Sequence, residues 1–208
     1  MKNLLFGSIV SLAVIILSFT PKPEIQTGSP KVPLQAATWT TDKAHTNVKF
    51  SVSHLVISDV EGNFKSFDGT LVASKPDFTD AKINFTIDVA SVSTDNENRD
   101  NHLKSPDFFD VAKYPKMTFV STSFVSLGNN KYTLVGNLTI KDVTKPVTFE
   151  VTYGGTAIAM GGTHAGFKAT AKIDRYDYNL KWNMATEAGG AVVGKEVDIT
   201  VNLDFKKS

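Results

Sequence analysis

From Thr38 to the C-terminus, apolar side chains recur at every second position, the period of a strand with one face on a core. Val48, Phe50, Val52 and His54 share one face, with Lys49, Ser51 and Ser53 on the other. Val60, Gly62 and Phe64 continue the pattern. It resumes on the opposite parity at Phe67, Gly69 and Leu71, which predicts a bulge or bend near Lys65 and Ser66. Ile83, Phe85, Ile87 and Val89 form the next row, and Met117 and Phe119 begin another. A turn over residues 127–130 leads to the inward row Tyr132, Leu134, Gly136, Leu138 and Ile140. Asp142 to Pro146 read as a turn, and Val147, Phe149, Val151 and Tyr153 return the chain. A glycine-rich passage, in which Gly154-Gly155 and Gly161-Gly162 read as turns, precedes Ala165, Phe167, Ala169, Ala171 and Ile173. Val197, Ile199, Val201, Leu203 and Phe205 make the last row.

About eight short strands joined by short turns predict an all-β, antiparallel architecture, either a sandwich or an up-and-down barrel. The inward rows set large residues (Phe50, Phe85, Phe149) beside small ones (Gly136, Ala165, Ala169, Ala171), which leaves interior room and favours an eight-stranded barrel with a cavity.

Residues 89–124 break the alternation and hold the densest polar cluster of the chain. Their aromatics argue against disorder, so a short helix and turn closing one barrel end is expected. Thr94 or Asp95 reads as the N-cap, and Ser105-Pro106 as the stop. Leu103 shares a face with Arg99 and Asp100, and Phe108-Phe109 forms an apolar plug packing back over whatever the helix covers.

The balanced charge, +1 overall, gives no footprint for nucleic acid. The absence of cysteine excludes disulfides, thiolate metal sites, cysteine nucleophiles and lipoprotein-type acylation. Lys2 followed by an apolar run over residues 4–19 reads as a secretory signal or an N-terminal membrane anchor (residues 1–20). As a helix it would span roughly 24 Å, short of a hydrocarbon core of about 30 Å. A proline-rich linker, 21–37, precedes the domain at 38–208. A periplasmic or otherwise extracytoplasmic location follows, with anchoring through residues 4–19 as an option.

Several segments together resemble one family. Asp42-Lys43-Ala44-His45-Thr46-Asn47-Val48-Lys49-Phe50 running on to His54-Leu55, Asn98-Arg99-Asp100-Asn101-His102-Leu103-Lys104-Ser105 with Phe108-Phe109-Asp110, Tyr114-Pro115-Lys116-Met117-Thr118-Phe119, and Gly136-Asn137-Leu138-Thr139-Ile140 through Thr144-Lys145-Pro146-Val147 are similar to the motifs of the YceI-like family, the lipocalin-like polyisoprenoid-binding proteins of bacteria. The resemblance implies an eight-stranded antiparallel barrel with a helix at one end and an isoprenoid chain in its bore. Asp142 and Tyr178-Asn179 depart from the family pattern, the latter at one barrel rim.

A tube for such a chain must be apolar, with a few polar groups at one mouth. The candidate walls are Phe50, Val52, Phe64, Phe85, Ile87, Phe119, Leu134, Leu138, Phe149, Phe167 and Ile199. From periodicity alone these residues could equally fill a core. His54, Arg99, His102, Leu103, Phe108 and Arg175 are the candidates at the rim. Asp100 is expected to pair with Arg99 or Arg175, since a buried guanidinium at a strand end calls for a carboxylate.

Two other readings stand beside this one: an extracytoplasmic interaction module with a filled core, and a small-barrel acid–base isomerase using His54, His102 and nearby acids. No nucleophile elbow, metalloprotease helix or phosphate-cradling loop is present, and the four histidines lack paired spacing. No catalytic residue, metal site or cofactor beyond a bound lipid is therefore assigned. Polar strand faces predict no apolar docking patch, while a homodimer stays open.

Overall fold

The alternating rows become strands because only an extended backbone puts every second side chain on the same face. The structure, a computed structural model, describes residues 35–185 and 191–208. The expected leader, and all of the linker but its last residues, lie outside that range. The strands are β1 (Ala37–Thr41), β2 (Asn47–His54), β3 (Ser58–Phe64), β4 (Phe67–Ala73), β5 (Lys82–Asp88), β6 (Val92–Ser93), β7 (Lys116–Gly128), β8 (Lys131–Ile140), β9 (Val143–Ala159), β10 (Gly162–Asp174) and β11 (Val193–Lys207), with one helix, α1 (Glu97–Lys104).

All pairings are antiparallel, and the sheet closes. β11 pairs with β2 through Val193–Asn202 and with β1 through Phe205–Lys207. In turn β2 pairs with β3 while β1 pairs with β4, and β3 pairs with β6 while β4 pairs with β5. Segments β1/β2, β3/β4 and β5/β6 are thus three bent barrel strands, and with β7 to β11 they make an eight-stranded barrel. The parity switch at Lys65 and Ser66 is one of the bends. It is held by Lys65 N–H donating to Ser91 O at 3.1 Å and Ser66 N–H to Ser91 Oγ at 3.0 Å, which stacks it on the next corner.

A second corner, residues 42–46, joins β1 to β2 alongside β11. Asp42 N–H donates to Asp204 O at 2.8 Å, and Asp204 N–H to Thr46 Oγ1 at 3.0 Å. His164 Nδ1 meets Asp204 Oδ1 at 2.8 Å, and His45 Nδ1 meets Asp42 Oδ2 at 3.0 Å. Asp42, His164 and Asp204 bring carboxylate and imidazole atoms within 4.8 Å of one another, with His164 bonded to Asp204 and Asp42 to His45 and the Ala44 N–H in pinning the corner. Holding His45 protonated favours the ion pair, so its pKa is raised by the Asp42 hydrogen bond and that of Asp42 is lowered by His45.

Three local expectations change. The turn before β9 is Lys141-Asp142, with Lys141 at φ 56, and Pro146 already lies in the strand opposite Asn137. There β9 has no β10 partner, the edge setting in which a missing N–H is tolerated. Gly154-Gly155 is a bulge rather than a turn: Gly166 pairs with Gly155 and Phe167 with Tyr153, leaving Gly154 extra. The N-cap of α1 is Asn96, whose side chain accepts from Arg99 N–H at 3.0 Å. Asp95 sits at φ 58, outside the extended region a cap needs, and the Thr94 hydroxyl is committed to Arg99 and Asp100.

Candidate functional site

The barrel interior divides into a plug, a bore and a mouth. At the end away from α1, Trp39, Phe78, Phe124, Tyr132, Tyr153, Phe167 and Phe205 pack edge-to-face and stacked, with ring centroids 4.6 to 6.4 Å apart. Phe78 enters this cluster from the β4–β5 loop with φ 57. The loop is held by Asp80 accepting from Ser74 and Lys75 N–H, and the Tyr132 hydroxyl donates to Asp77 O at 2.9 Å. Burial pushes the Tyr132 pKa up.

Above the plug runs a cavity of about 540 Å³, within the range of small-molecule sites. Its walls are aliphatic and aromatic, and no acidic side chain lines it among the described residues. Three glycines keep it open. A Cβ on Gly62, Gly69 or Gly136 would overlap the rings of Phe50, Phe85 and Phe119, respectively. Each ring therefore lies against bare neighbouring backbone instead of projecting across the bore. Opposite them, Ala169 leaves space where a larger inward residue would fill it.

The mouth is built by α1, the Phe108-Phe109 turn, the end of β2 and Leu180, Trp182, Val192 and Val193. Phe109 meets Phe64 at 6.0 Å, and Phe64 meets Phe50 at 5.7 Å, joining the mouth to the bore wall. The His102 ring stands edge-on to Trp182 at 4.8 Å and to Phe108 at 5.0 Å, with its Nε2 3.0 Å from Asp107. Asp100 accepts from Thr94 N–H at 2.8 Å and from its hydroxyl at 2.6 Å. Arg99 donates from Nε to the same hydroxyl at 2.7 Å and from Nη2 to Thr94 O at 2.8 Å. Arg99 and Asp100 are therefore joined through Thr94 rather than as the expected ion pair.

Arg175 also departs from expectation. It is 4% exposed and has no carboxylate partner among the described residues. Its guanidinium donates instead to the backbone carbonyls of Gly194 at 2.8 Å, Trp182 at 2.9 Å, Val193 at 3.2 Å and Leu180, with the Tyr176 hydroxyl at 3.4 Å. Four carbonyl dipoles do the work of an acid, while burial draws the Arg175 pKa down. Asn183 reinforces the arrangement: its Nδ2 donates to Val193 O at 2.9 Å and its Oδ1 accepts from Val193 N–H at 3.1 Å. Together these bonds hold Trp182 over the mouth. Tyr178 packs beneath, 1% exposed, with its pKa pushed up to about 12 by burial.

Every wall and rim residue expected from the sequence borders this cavity except Phe167, which is buried in the plug. His54 is half-buried at the mouth. Trp182 and Leu180 also border it and were not expected: Leu180, Trp182 and Met184 do alternate with Lys181 and Asn183, but the run is short and 180–184 form no strand.

A closed antiparallel barrel with an apolar bore, plugged at one end and capped by a helix at the other, defines a lipocalin-like protein. The model of the YceI-like domain matches residues 39–205, and the chain belongs to that family. It is 38% identical over 172 residues to the UPF0312 protein SAS2572 of Staphylococcus aureus, covering 82% of this chain and 98% of that protein. The crystal structure of Burkholderia cenocepacia BcnA is similar with a TM-score of 0.66 and 29% identity, over 79% of this chain and 98% of that one. A polyisoprenoid binding domain from Saccharophagus degradans shares the fold with a TM-score of 0.61 at 15% identity, over 82% of this chain and 98% of its own.

Proposed function

We propose that this protein is an exported, non-enzymatic carrier that holds one polyisoprenoid or similar long, uncharged hydrocarbon chain in its bore. The observation that carries the reading is the cavity: about 540 Å³, walled by Phe, Leu, Ile and Val, plugged by aromatics at one end and, among the described residues, free of acidic side chains. A filled-core interaction module has no use for glycines that hold three phenyl rings off the axis. Family membership and the polyisoprenoid binding named for the Saccharophagus degradans domain support the same ligand class. Export rests on Lys2 and the apolar run that follows it.

The polar groups at the mouth favour binding over catalysis. Arg175 is occupied by backbone carbonyls and Arg99 by Thr94, which leaves these two poorly placed to move protons on a ligand. Each buried methylene contributes about 0.8 kcal/mol, so affinity for a prenol series should rise steeply with chain length until the bore is full and then level off. Equilibrium titration with prenols of increasing length tests this. Affinity independent of length, or no saturable uptake, would overturn the reading.

A further inference from the structure

The tip of the β2–β3 hairpin is Leu55-Val56-Ile57. All three are exposed, Val56 by 84% and Ile57 by 85%. Leu55 and Val56 take φ of 55° and 64°, the left-handed region that suits glycine or asparagine and strains a β-branched residue. The β7–β8 turn of the same chain meets that geometry with Asn129-Asn130. At the β2–β3 tip the chain instead accepts both backbone strain and exposed aliphatic surface. The polar outward rows predicted no apolar docking patch, yet one stands here.

Its position gives it a use. Ser53, His54 and Val60, in the strands that carry the tip, border the bore mouth. Leu55 N–H donates to Val192 O at 2.9 Å, Val192 also borders the mouth, and its N–H donates at 3.0 Å to the carbonyl of Met184, a further exposed apolar residue. A polyisoprenoid dissolves in bilayers and is all but excluded from water. A carrier whose mouth opens only into water would have to draw its ligand through that barrier.

We propose that Leu55, Val56 and Ile57, with Met184, are a membrane-docking edge. They insert into the interfacial zone of a phospholipid bilayer and hold the bore mouth against it, so that the chain slides from membrane to barrel without crossing water. The proposal rests on the carrier reading above. Charges of both signs neighbour these residues in the chain, Asp59 after the tip and Lys181 before Met184, so insertion is apolar and zwitterionic vesicles suffice. The opposite end supplies a control. Ile158 and Met160 at the β9–β10 tip are as exposed, but they stand beside the aromatic plug, where no chain can enter.

The full chain has no cysteine, so a single one can be placed and labelled at either end. Ile57→Cys and Ile158→Cys, each carrying an environment-sensitive fluorophore, are mixed with phosphatidylcholine vesicles containing nitroxide-quencher lipids. Both variants keep the same N-terminal apolar run, so membrane binding through it is common to the two measurements. Quenching at 57 and not at 158 is expected; equal quenching, quenching at 158 alone, or none overturns the docking edge. In a second arm, Val56→Asn with Ile57→Ser removes the apolar tip while suiting its backbone. Uptake of a long-chain prenol from vesicles should slow by about tenfold, with uptake from detergent unchanged. Equal rates from vesicles for variant and wild type, or equal slowing from both sources, contradict the proposal. A wild type that takes no prenol even from detergent fails the carrier reading instead, and the quenching result still decides docking.

Discussion

The ring of Phe50 lies directly on the backbone of Gly62 across the β2–β3 pair, in the space a Cβ would need. Phe85 repeats the relationship on Gly69, and Phe119 on Gly136. A wall built this way is thin where the bore is wide. Gly62→Ala should turn Phe50 into the cavity, at about 1–3 kcal/mol of stability and with weaker prenol binding. Gly136→Ala should cost more, because its Cβ also meets Val120 O at 2.6 Å and backbone cannot rotate away. Urea titration of both variants, beside prenol titration, measures the two effects.

Removing the Arg175 guanidinium should cost more than removing a surface charge. Arg175→Met would leave the carbonyls of Gly194, Trp182 and Leu180 without their Arg175 donor in a buried site, while Val193 keeps Asn183. The expected loss is about 3 kcal/mol or more by chemical denaturation. Arg175→Lys should not restore it, since one ammonium cannot reach the spread of acceptors that a planar fork serves.

The Asp42–His45 pair should make the barrel corner depend on pH. The pKa of His45 is raised from its ordinary 6.5, so its contribution is complete below 6.5 and is lost as pH climbs through the raised value. That of Asp42 is lowered from 3.8, so its contribution is complete above 3.8 and is lost as pH falls through the lowered value. The melting temperature of His45→Asn should therefore fall furthest below wild type between those two values, and the gap should close in alkali. A gap that persists unchanged in alkali would show that the pair is not ionic.

Phe167 separates the plug from the bore. Phe167→Ala removes a ring packed on Phe78, Tyr153 and Phe205, and thermal or urea unfolding should register about 3–5 kcal/mol. Prenol binding should survive and shift its optimum toward longer chains, because the bore deepens. Loss of all binding in a folded variant would place Phe167 in the wall.

The period of two told which side chains point inward but not how deep along the barrel axis each one lies. Phe149 and Phe167 look alike in the sequence, and depth alone puts one in the wall and the other in the plug. The parity switch at Lys65 and Ser66 betrayed one bend of the barrel. The bends at residues 42–46 and 89–91 are harder to place, because they are pinned in part by backbone groups far along the chain, the Asp204 and Pro115 carbonyls among them. The partners of Arg175 were hidden for the same reason: backbone carbonyls carry no sequence signal. Trp182 sits in a short alternating run that forms no strand and is organised by bonds such as those of Arg175 and Asn183.

Filling the bore is the most direct test that it holds a chain. Ala169 is inward, buried and faces the cavity, so Ala169→Phe should occupy it without disturbing the outer face. Native mass spectrometry of wild type and variant, each after incubation with a long-chain prenol, should show a one-to-one apolar adduct on the wild type. The folded variant should give the bare polypeptide mass. Adducts on both, or on neither, would contradict the account.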